Sequence, residues 1–196
     1  SQKKVSEFAK NNNISGLEFM SCIPGSIGGG IRMNSGCFEK EFKDILLSIQ
    51  LIDFRGFVKS IPANKIKFNY RSVELPHDTI FLSATFKGKE QDSYQINKYM
   101  RELNQKKELA QPTKIKTSGS TFKNPINQTN KKVWELIRSS VSDEISYGDA
   151  FISKKHANFF VNKKNAKSSD MKSLINHVKT KVKDKTGVKL ELEIVE

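Results

Sequence analysis

Hydrophobic residues in the first half of the chain fall into short runs that predict strands. Residues 46–52 form a mostly apolar run of strand length, and the turn-forming residues 53–56 separate it from the shorter run 57–61. Two such runs joined by turn residues are typical of a β-hairpin. A further strand is predicted at Thr79–Phe86. The block up to about Phe86 is therefore expected to be largely strand.

Helical spacing of apolar residues appears in the second half. One helix is predicted to begin near Ser93 and to end in the polar stretch 104–107, and a short helix is predicted at 133–138. The best helix begins near the cap formed by Ser168 and its neighbour and stops at Gly187. The residues that repeat at helical spacing in the first and last of these helices are Ile96, Tyr99, Met100, Leu103, Met171, Leu174, Ile175, Val178 and Val182.

Two strands are also predicted in the second half. Residues 158–162 are predicted as a strand with the apolar centre 159–161. Residues 188–194 alternate strictly between apolar and polar, which makes them the clearest strand in the chain. Because side chains alternate along a strand, Glu191 and Glu193 project from the same side. If that side faces a cleft, one of them is a candidate acid; otherwise both are solvated charges.

The composition fits a globular chain. Of 196 residues, 36% are hydrophobic and 28% are charged, and thirteen are Phe, so a core can form. No apolar stretch approaches the ~20 residues that a membrane helix needs, and the first residues lack the apolar region of a signal peptide. The two cysteines, Cys22 and Cys37, fit a reducing cytoplasm with packing as their ordinary role.

The net charge of +13 and the pI near 9.7 indicate an anionic partner. The lysines are spread along the whole chain, and no helix-turn-helix, zinc-finger or RNA-binding motif accompanies them. A protein that acts on an anionic nucleotide or sugar phosphate would have the same sign of charge. Nucleic-acid binding is therefore the weaker interpretation.

Residues 22–30, called the glycine segment here, contain Gly25, Gly28, Gly29 and Gly30. Glycines allow the backbone to approach a ligand closely, and successive free N–H groups bind phosphate oxygens. The segment has neither the Gly-Lys-Ser/Thr of a Walker loop nor the spacing of a dinucleotide-fold motif. A phosphate cradle and a tight turn remain equally good interpretations.

Two further segments hold candidate chemistry. Arg71 follows Phe68 and Tyr70, which suits a partly buried cation directed at a carboxylate or phosphate. The alternative is a surface arginine stacked on Tyr70. Residues 118–125 are small, polar and turn-prone, so they either present Ser120 to a substrate or form a structural turn.

The histidines give weak signals. His156 is the one placed to contact a ligand, whereas His77 and His177 have the surroundings of surface residues. No histidine has metal-ligand spacing with a cysteine or carboxylate, so no metal site is predicted.

The ordered set of these segments closely resembles the UDP-N-acetylenolpyruvoylglucosamine reductases, also called UDP-N-acetylmuramate dehydrogenases. The resemblance covers the chain nearly end to end, and the connection from Gln111 and Pro112 to residues 119–121 is similar to that of the second, shorter type of the enzyme. The segments that carry it are 16–19, 23–29, 32–36, 70–71, 119–125, 152–159 and 190–193.

The resemblance implies an α+β protein with a FAD-binding domain of the vanillyl-alcohol-oxidase type followed by a substrate-binding domain. It implies that hydride from NADPH passes through FAD to UDP-N-acetylglucosamine enolpyruvate and gives UDP-N-acetylmuramate, a peptidoglycan precursor, in the cytoplasm. Arg71 and Glu193 match the residues that stabilise the enol-like intermediate, with Glu193 protonated. Ser120 matches the general acid that delivers the final proton.

The same resemblance assigns the domains and the cofactor contacts. Residues 1–106 are expected to form a partial FAD-binding domain, and residues 107–196 the C-terminal substrate-binding domain. The residues expected to bind the cofactor are Ile23, Pro24, Gly25, Ser26, Gly28, Gly29, Asn34 and Gly36.

Three departures from the family pattern suggest an alternative. No segment here matches the family's N-terminal lobe, Val73 stands where a serine is usual, and residues 139–144 replace a glycine-rich stretch. The alternative is an inactive or split-gene fragment that acts only as a binding module, with a separate chain supplying the missing lobe. A weaker alternative is a basic nucleic-acid-binding module. No nucleic-acid partner, membrane or metal is expected for the reductase.

Overall fold

The computed structural model describes residues 1–112 and 115–194 and divides the chain into two compact units, Ser1–Lys107 and Glu108–Glu196. Each unit combines helices with antiparallel strands around its own hydrophobic core, which confirms the predicted α+β class. Within the described residues, no helix has the length and apolar character that a membrane span requires.

The first unit is built on a three-stranded antiparallel sheet, and several two-stranded ladders accompany it. Short 3₁₀ turns at Glu18–Cys22, Phe42–Asp44 and Ala63–Lys65 join the elements. The elements are α1 (Gln2–Asn11), β1 (Ile14–Ser15), α2 (Ile27–Arg32), β2 (Gly36–Cys37), β3 (Lys40–Glu41), β4 (Leu46–Asp53), β5 (Val58–Pro62), β6 (Lys67–Asn69), β7 (Ser72–Glu74), β8 (Thr79–Phe86), β9 (Lys89–Glu90) and α3 (Ser93–Ala110).

The hairpin and the third strand of this sheet form as predicted. In the ladder, Ile49 pairs with Ile61 on β5 and with Ala84 on β8, so β4 is the central strand. Ile49 and Leu51 are buried and pack with Phe42 in the core of the unit. The sheet thereby supports the glycine segment, because Gly28 lies next to Phe81 of β8.

The second unit contains two helices and a four-stranded antiparallel sheet. The strands of the sheet lie in the order β10 (Lys116–Ser120), β13 (Phe159–Asn162), β12 (Ala150–Ile152) and β11 (Ser146–Tyr147). The predicted apolar face of the last helix is correct, since Leu174, Ile175, Val178 and Val182 are all buried in the core. The elements are β10 (Lys116–Ser120), α4 (Val133–Ser140), β11 (Ser146–Tyr147), β12 (Ala150–Ile152), β13 (Phe159–Asn162) and α5 (Ser168–Thr186).

Two local predictions were wrong in detail. Helix α3 continues through the polar stretch 104–107 to Ala110, because residues 105–110 are all good helix formers although most of them are polar. The N-cap of α5 is Lys167, whose N–H donates to the Asp170 carboxylate at 2.8 Å. Gly187 ends that helix as predicted, with a φ of 74°.

The tail 188–194 has the predicted alternation but does not form a regular strand within the described residues. Val188 and Leu190 are buried, while Lys189 and Glu191 are exposed. The tail makes a single β-bridge, between Leu192 and Phe122. Alternation thus reports which side is buried, but a strand also needs a partner that continues alongside it.

Candidate active site

The glycine segment forms an exposed loop followed by helix α2. The Ser26 hydroxyl caps this helix by accepting the Gly29 N–H at 3.1 Å. Gly25 has a φ of +115°, a conformation that glycine adopts without strain. The loop is anchored by Gln2, whose N–H donates to the Gly25 carbonyl at 3.0 Å and whose Nε2 donates to the Ser26 carbonyl at 3.2 Å. Pro24, Gly25 and Ser26 remain exposed.

The atoms around each glycine show whether the protein's own packing requires a residue without a Cβ at that position. A Cβ at Gly30 would lie 2.5 Å from the Phe42 ring, and a Cβ at Gly36 would lie 2.4 Å from the Lys40 carbonyl, so the protein's own packing requires both. At Gly28 and Gly29 the nearest heavy atoms are 3.4 and 3.3 Å away, and neither residue has a positive φ. Packing within the protein therefore explains Gly30 and Gly36, whereas Gly28 and Gly29 fit a backbone that a phosphate-bearing cofactor approaches closely.

Asn34 is buried, with 1% of its surface exposed, and its side chain is engaged within the protein. Its Nδ2 donates to the Glu41 carboxylate at 3.0 Å and to the Asn69 carbonyl at 3.2 Å. Its Oδ1 accepts the Lys43 N–H at 3.1 Å. The amide of Asn34 therefore joins β3 to β6, and the predicted cofactor contact at this residue stays a prediction.

Arg71 lies in the two-residue turn between β6 and β7, where Asn69 pairs with Ser72. Its φ is +57°, and its guanidinium carbon lies 5.0 Å from the centre of the Tyr70 ring. Nη1 is 3.8 Å from a Glu41 carboxylate oxygen, and the two side chains are only 20% and 21% exposed. The structure thus combines the two interpretations of the sequence, a stacked arginine and a partly buried cation.

Cys22 is the first residue of the glycine segment, and Cys37 lies in β2, which follows α2. Both are free thiols. A hydrogen bond from the Cys37 thiol lowers the pKa of Cys22 to about 6, an effect larger than the opposite effect of burial. Ser21 and the positive charge of Lys107 lower it further. The same pairing, together with burial, raises the pKa of Cys37. Sequence reasoning assigned both cysteines to packing alone and did not find this thiol pair.

In the second unit, Ser120 is the last residue of β10 and lies next to a bulge. The ladder to β13 pairs Thr117 with Val161 and Ser120 with Phe159, so Ser118 and Gly119 together face the single residue between those partners. Gly119 has a φ of +89°. A bulge redirects the following side chain, and Ser120 is partly exposed after it.

Glu193 is held beside the same segment. Its N–H donates to the Thr121 carbonyl at 2.9 Å, and the Lys123 N–H donates to the Glu191 carbonyl at 2.9 Å. Two of the three predicted catalytic residues, Ser120 and Glu193, therefore belong to neighbouring backbone segments of the second unit, while Arg71 belongs to the first unit.

Asn158 and His156 complete the surroundings of Ser120. The Asn158 side chain bonds to both the N–H and the carbonyl of Phe122. His156 Nδ1 accepts the Asn158 N–H at 3.2 Å. Burial, followed by the charge of Arg138, lowers the pKa of His156 against the opposing effect of its own backbone, so its neutral form is favoured. Sequence reasoning gave no role to Asn158, because a single Asn before a strand carries no signal. Among the described residues, no group of His, Cys, Asp and Glu could hold a metal.

Comparisons with known proteins agree with this arrangement. Residues 111–195 match the family model described as UDP-N-acetylenolpyruvoylglucosamine reductase, C-terminal domain. A relative named UDP-N-acetylenolpyruvoylglucosamine reductase from Pelagibacter ubique is 61% identical over 192 residues, which cover 98% of this chain and 64% of the relative. The protein of the same name from Rickettsia bellii is 42% identical over 97% of this chain and 62% of the relative.

The fold agrees as well. The crystal structure of UDP-N-acetylenolpyruvylglucosamine reductase from Thermus caldophilus superposes with a TM-score of 0.85 at 29% identity, covering 99% of this chain and 68% of that one. The chain therefore spans somewhat less than two thirds of the length of the two relatives above. In sequence, in fold and in the match of residues 111–195 to the family's C-terminal domain, the chain is thus similar to the UDP-N-acetylenolpyruvoylglucosamine reductases.

Proposed function

We propose that this chain takes part in the NADPH-dependent, FAD-mediated reduction of UDP-N-acetylglucosamine enolpyruvate to UDP-N-acetylmuramate. The observation that carries the proposal is the 61% identity, over 98% of the chain, to a relative named as this reductase. The reaction would serve peptidoglycan precursor synthesis in the cytoplasm, where NADPH and UDP-sugars occur. Because the chain spans 64% of that relative, the proposal concerns the chain together with the additional segments of its relatives, supplied in the same or a separate polypeptide.

The residues of the first unit that would hold FAD are those of the glycine segment and its flanks. The exposed Pro24, Gly25 and Ser26 would lie against the cofactor's diphosphate, and Gly28 and Gly29 would allow close approach of the backbone. Ile23, Asn34 and Gly36 are assigned to the same site by the family resemblance. When bound, FAD would supply the hydride that originates from NADPH.

The chain's own catalytic groups would act on the substrate. Arg71, partly shielded from water, would pair with the substrate carboxylate and stabilise the negative charge that develops next to it. Glu193, in its protonated form, would donate a hydrogen bond to the same developing charge. Ser120 would give its hydroxyl proton to the substrate carbon. The net positive charge of +13 would favour binding of the diphosphate substrate and of both dinucleotides.

The experiment uses a version of the protein completed with the additional segments of the Pelagibacter ubique relative. Ser120→Ala should leave reduction of the flavin by NADPH nearly unchanged, because that half-reaction needs no proton on the substrate carbon. Reoxidation of the flavin by the enolpyruvyl substrate should slow by at least ~10²-fold. Both half-reactions are followed by flavin absorbance in stopped flow.

The matched control is Ser118→Ala, an exposed serine on the same strand, which should reoxidise at the parent rate. Reoxidation at the parent rate in Ser120→Ala would show that Ser120 has a structural role only. A completed parent protein that is not reoxidised by the enolpyruvyl substrate would refute the proposed function itself.

A further inference from the structure

Asn158 is a buried polar residue that immediately precedes β13. It is 3% exposed, and its side-chain amide bonds to one peptide unit on each side of Phe122. Oδ1 accepts the Phe122 N–H at 3.0 Å, and Nδ2 donates to the Phe122 carbonyl at 2.8 Å. An amide that is buried in this way is stable only because these bonds replace its bonds to water.

The backbone around Phe122 explains why a side chain is needed there. Phe122 and Leu192 form an antiparallel bridge, flanked by the bonds from Lys123 N–H to Glu191 and from Glu193 N–H to Thr121. In a bridge of this kind, the N–H and carbonyl groups of each central residue point away from the opposite residue. The polar groups of Phe122 therefore face the other neighbour, where β13 has not yet begun. Asn158 supplies with its side chain what a strand would supply with its backbone.

The same residue controls the segment that carries the candidate acid. The Asn158 carbonyl accepts the Thr121 N–H at 2.8 Å, so Asn158 makes three hydrogen bonds to the two residues that follow Ser120. On the other side of Ser120 the bulge at Ser118 and Gly119 interrupts the regular ladder. The position of Ser120 thus depends on its own pairing with Phe159 and on the bonds that begin one residue later.

These contacts reach the second candidate residue as well. The Thr121 carbonyl, between the two residues that Asn158 holds, accepts the N–H of Glu193. A shift of the segment 120–122 would therefore move Ser120 and the backbone partner of Glu193 together. Catalytic groups must keep their position closely, because a displacement of about 1 Å can cost ~10²-fold in rate.

We infer that Asn158 is a positioning residue for proton donation, which holds Ser120 in place through the backbone of Thr121 and Phe122. The inference rests on the proposed function, because it assigns to Asn158 a role in the same reaction. It predicts that loss of the Asn158 amide affects the reaction through Ser120, rather than only through the stability of the fold.

The test compares Asn158→Leu with Asn162→Leu in the completed protein. Asn162, at the other end of β13, also uses its side chain on the backbone, since Oδ1 accepts the N–H groups of Lys164 and Ala166 at 3.0 Å each. Both variants lose hydrogen bonds of a strand-end asparagine and should unfold at lower urea concentration. Only Asn158→Leu should slow reoxidation by the enolpyruvyl substrate, by ~10-fold or more, with flavin reduction by NADPH unchanged.

Two further readouts separate positioning from stability. In Asn158→Leu the Phe122 N–H should exchange with deuterium faster than in the parent, measured on the 196-residue chain itself. In the double variant Ser120→Ala/Asn158→Leu, reoxidation should be slower than in Ser120→Ala by less than ~2-fold, because the positioned group is already missing. If Asn158→Leu does not fold, Asn158→Asp replaces it in the kinetic tests only, since it keeps an acceptor for Phe122 N–H and loses the donor to the Phe122 carbonyl.

The outcomes distinguish the two proposals. If Ser120→Ala is slow while the folded Asn158 variant reoxidises at the parent rate, the inference is overturned and the proposed function stands. Additive effects in the double variant also overturn it, because Asn158 would then act independently of Ser120. If Ser120→Ala itself reoxidises at the parent rate, the proposed role of Ser120 is refuted, and the inference about Asn158 is refuted with it.

Discussion

Replacing Gly30 by alanine should destabilise the first unit, although alanine is the better helix former. The new Cβ would lie 2.5 and 2.6 Å from two carbons of the Phe42 ring and 2.9 Å from Gln2 Nε2. Phe42 is 0% exposed and lies edge-on to Phe19 and Phe86, so its ring cannot move without disturbing the core. Overpacking of this kind costs about 1–3 kcal/mol, and the helix preference of alanine returns up to about 1 kcal/mol. We expect a net loss of about 1–2 kcal/mol in the free energy of unfolding.

The assay is urea unfolding followed by circular dichroism, with amide exchange of β4 to assign the loss to the first unit. Gly29→Ala is the control, because it lies in the same helix and its Cβ would meet only the Ser26 hydroxyl, at 3.3 Å. Its stability should equal that of the parent or exceed it by up to about 1 kcal/mol, because it gains the same helix preference of alanine without a clash against an aromatic ring. Shortening Phe42 to leucine should make Gly30→Ala less costly than in the parent background. A Gly30→Ala protein as stable as Gly29→Ala would refute the packing explanation.

Two further predictions concern titrating groups. Burial lowers the pKa of His156, so the unfolded chain binds its proton more readily than the folded one. Stability should therefore fall as pH drops below about 6.5, and His156→Gln should reduce that fall in urea titrations at several pH values. An equal fall in the variant and the parent would contradict this assignment. The hydrogen bond from Cys37 is the main reason for the low pKa of Cys22, so Cys37→Ala should raise the pKa of Cys22. The pKa is measured by thiolate ultraviolet absorbance against pH, and an unchanged value would contradict the pairing.

The regular elements were predictable because hydrophobic spacing alone defines them. Strand β8 has the predicted bounds Thr79–Phe86, and the apolar face of α5 is the predicted one. The sequence could not show that the described tail residues 188–194 form an isolated β-bridge at Leu192 and not a ladder, because strand pairing depends on segments far away in the chain. The end of α3 was missed for a different reason, since residues 105–110 are mostly polar but are intrinsically good helix formers.

The candidate site was predictable residue by residue but not as a set of contacts. The resemblance to the reductases pointed to Arg71, Ser120 and Glu193, and those roles remain proposals. The supporting residues were not predictable, because Glu41 and Asn158 are ordinary polar residues whose partners are distant in sequence. Only the fold brings Glu41 within 3.8 Å of Arg71 and the Asn158 amide to the backbone of Phe122.

The bulge before Ser120 has opposite effects on the stability of the sheet and on the proposed activity. Deleting Gly119 would let β10 and β13 pair without the one-residue shift, which adds regular hydrogen bonds to the sheet. The same deletion would keep Ser120 opposite Phe159 and on the same face, but it would remove the local kink and extra twist that the bulge gives the strand just before Ser120. Selection or engineering for stability alone would therefore favour a regular strand that no longer aims the Ser120 hydroxyl in the same direction. The proposed role of Ser120 as proton donor would explain why the irregular strand is retained.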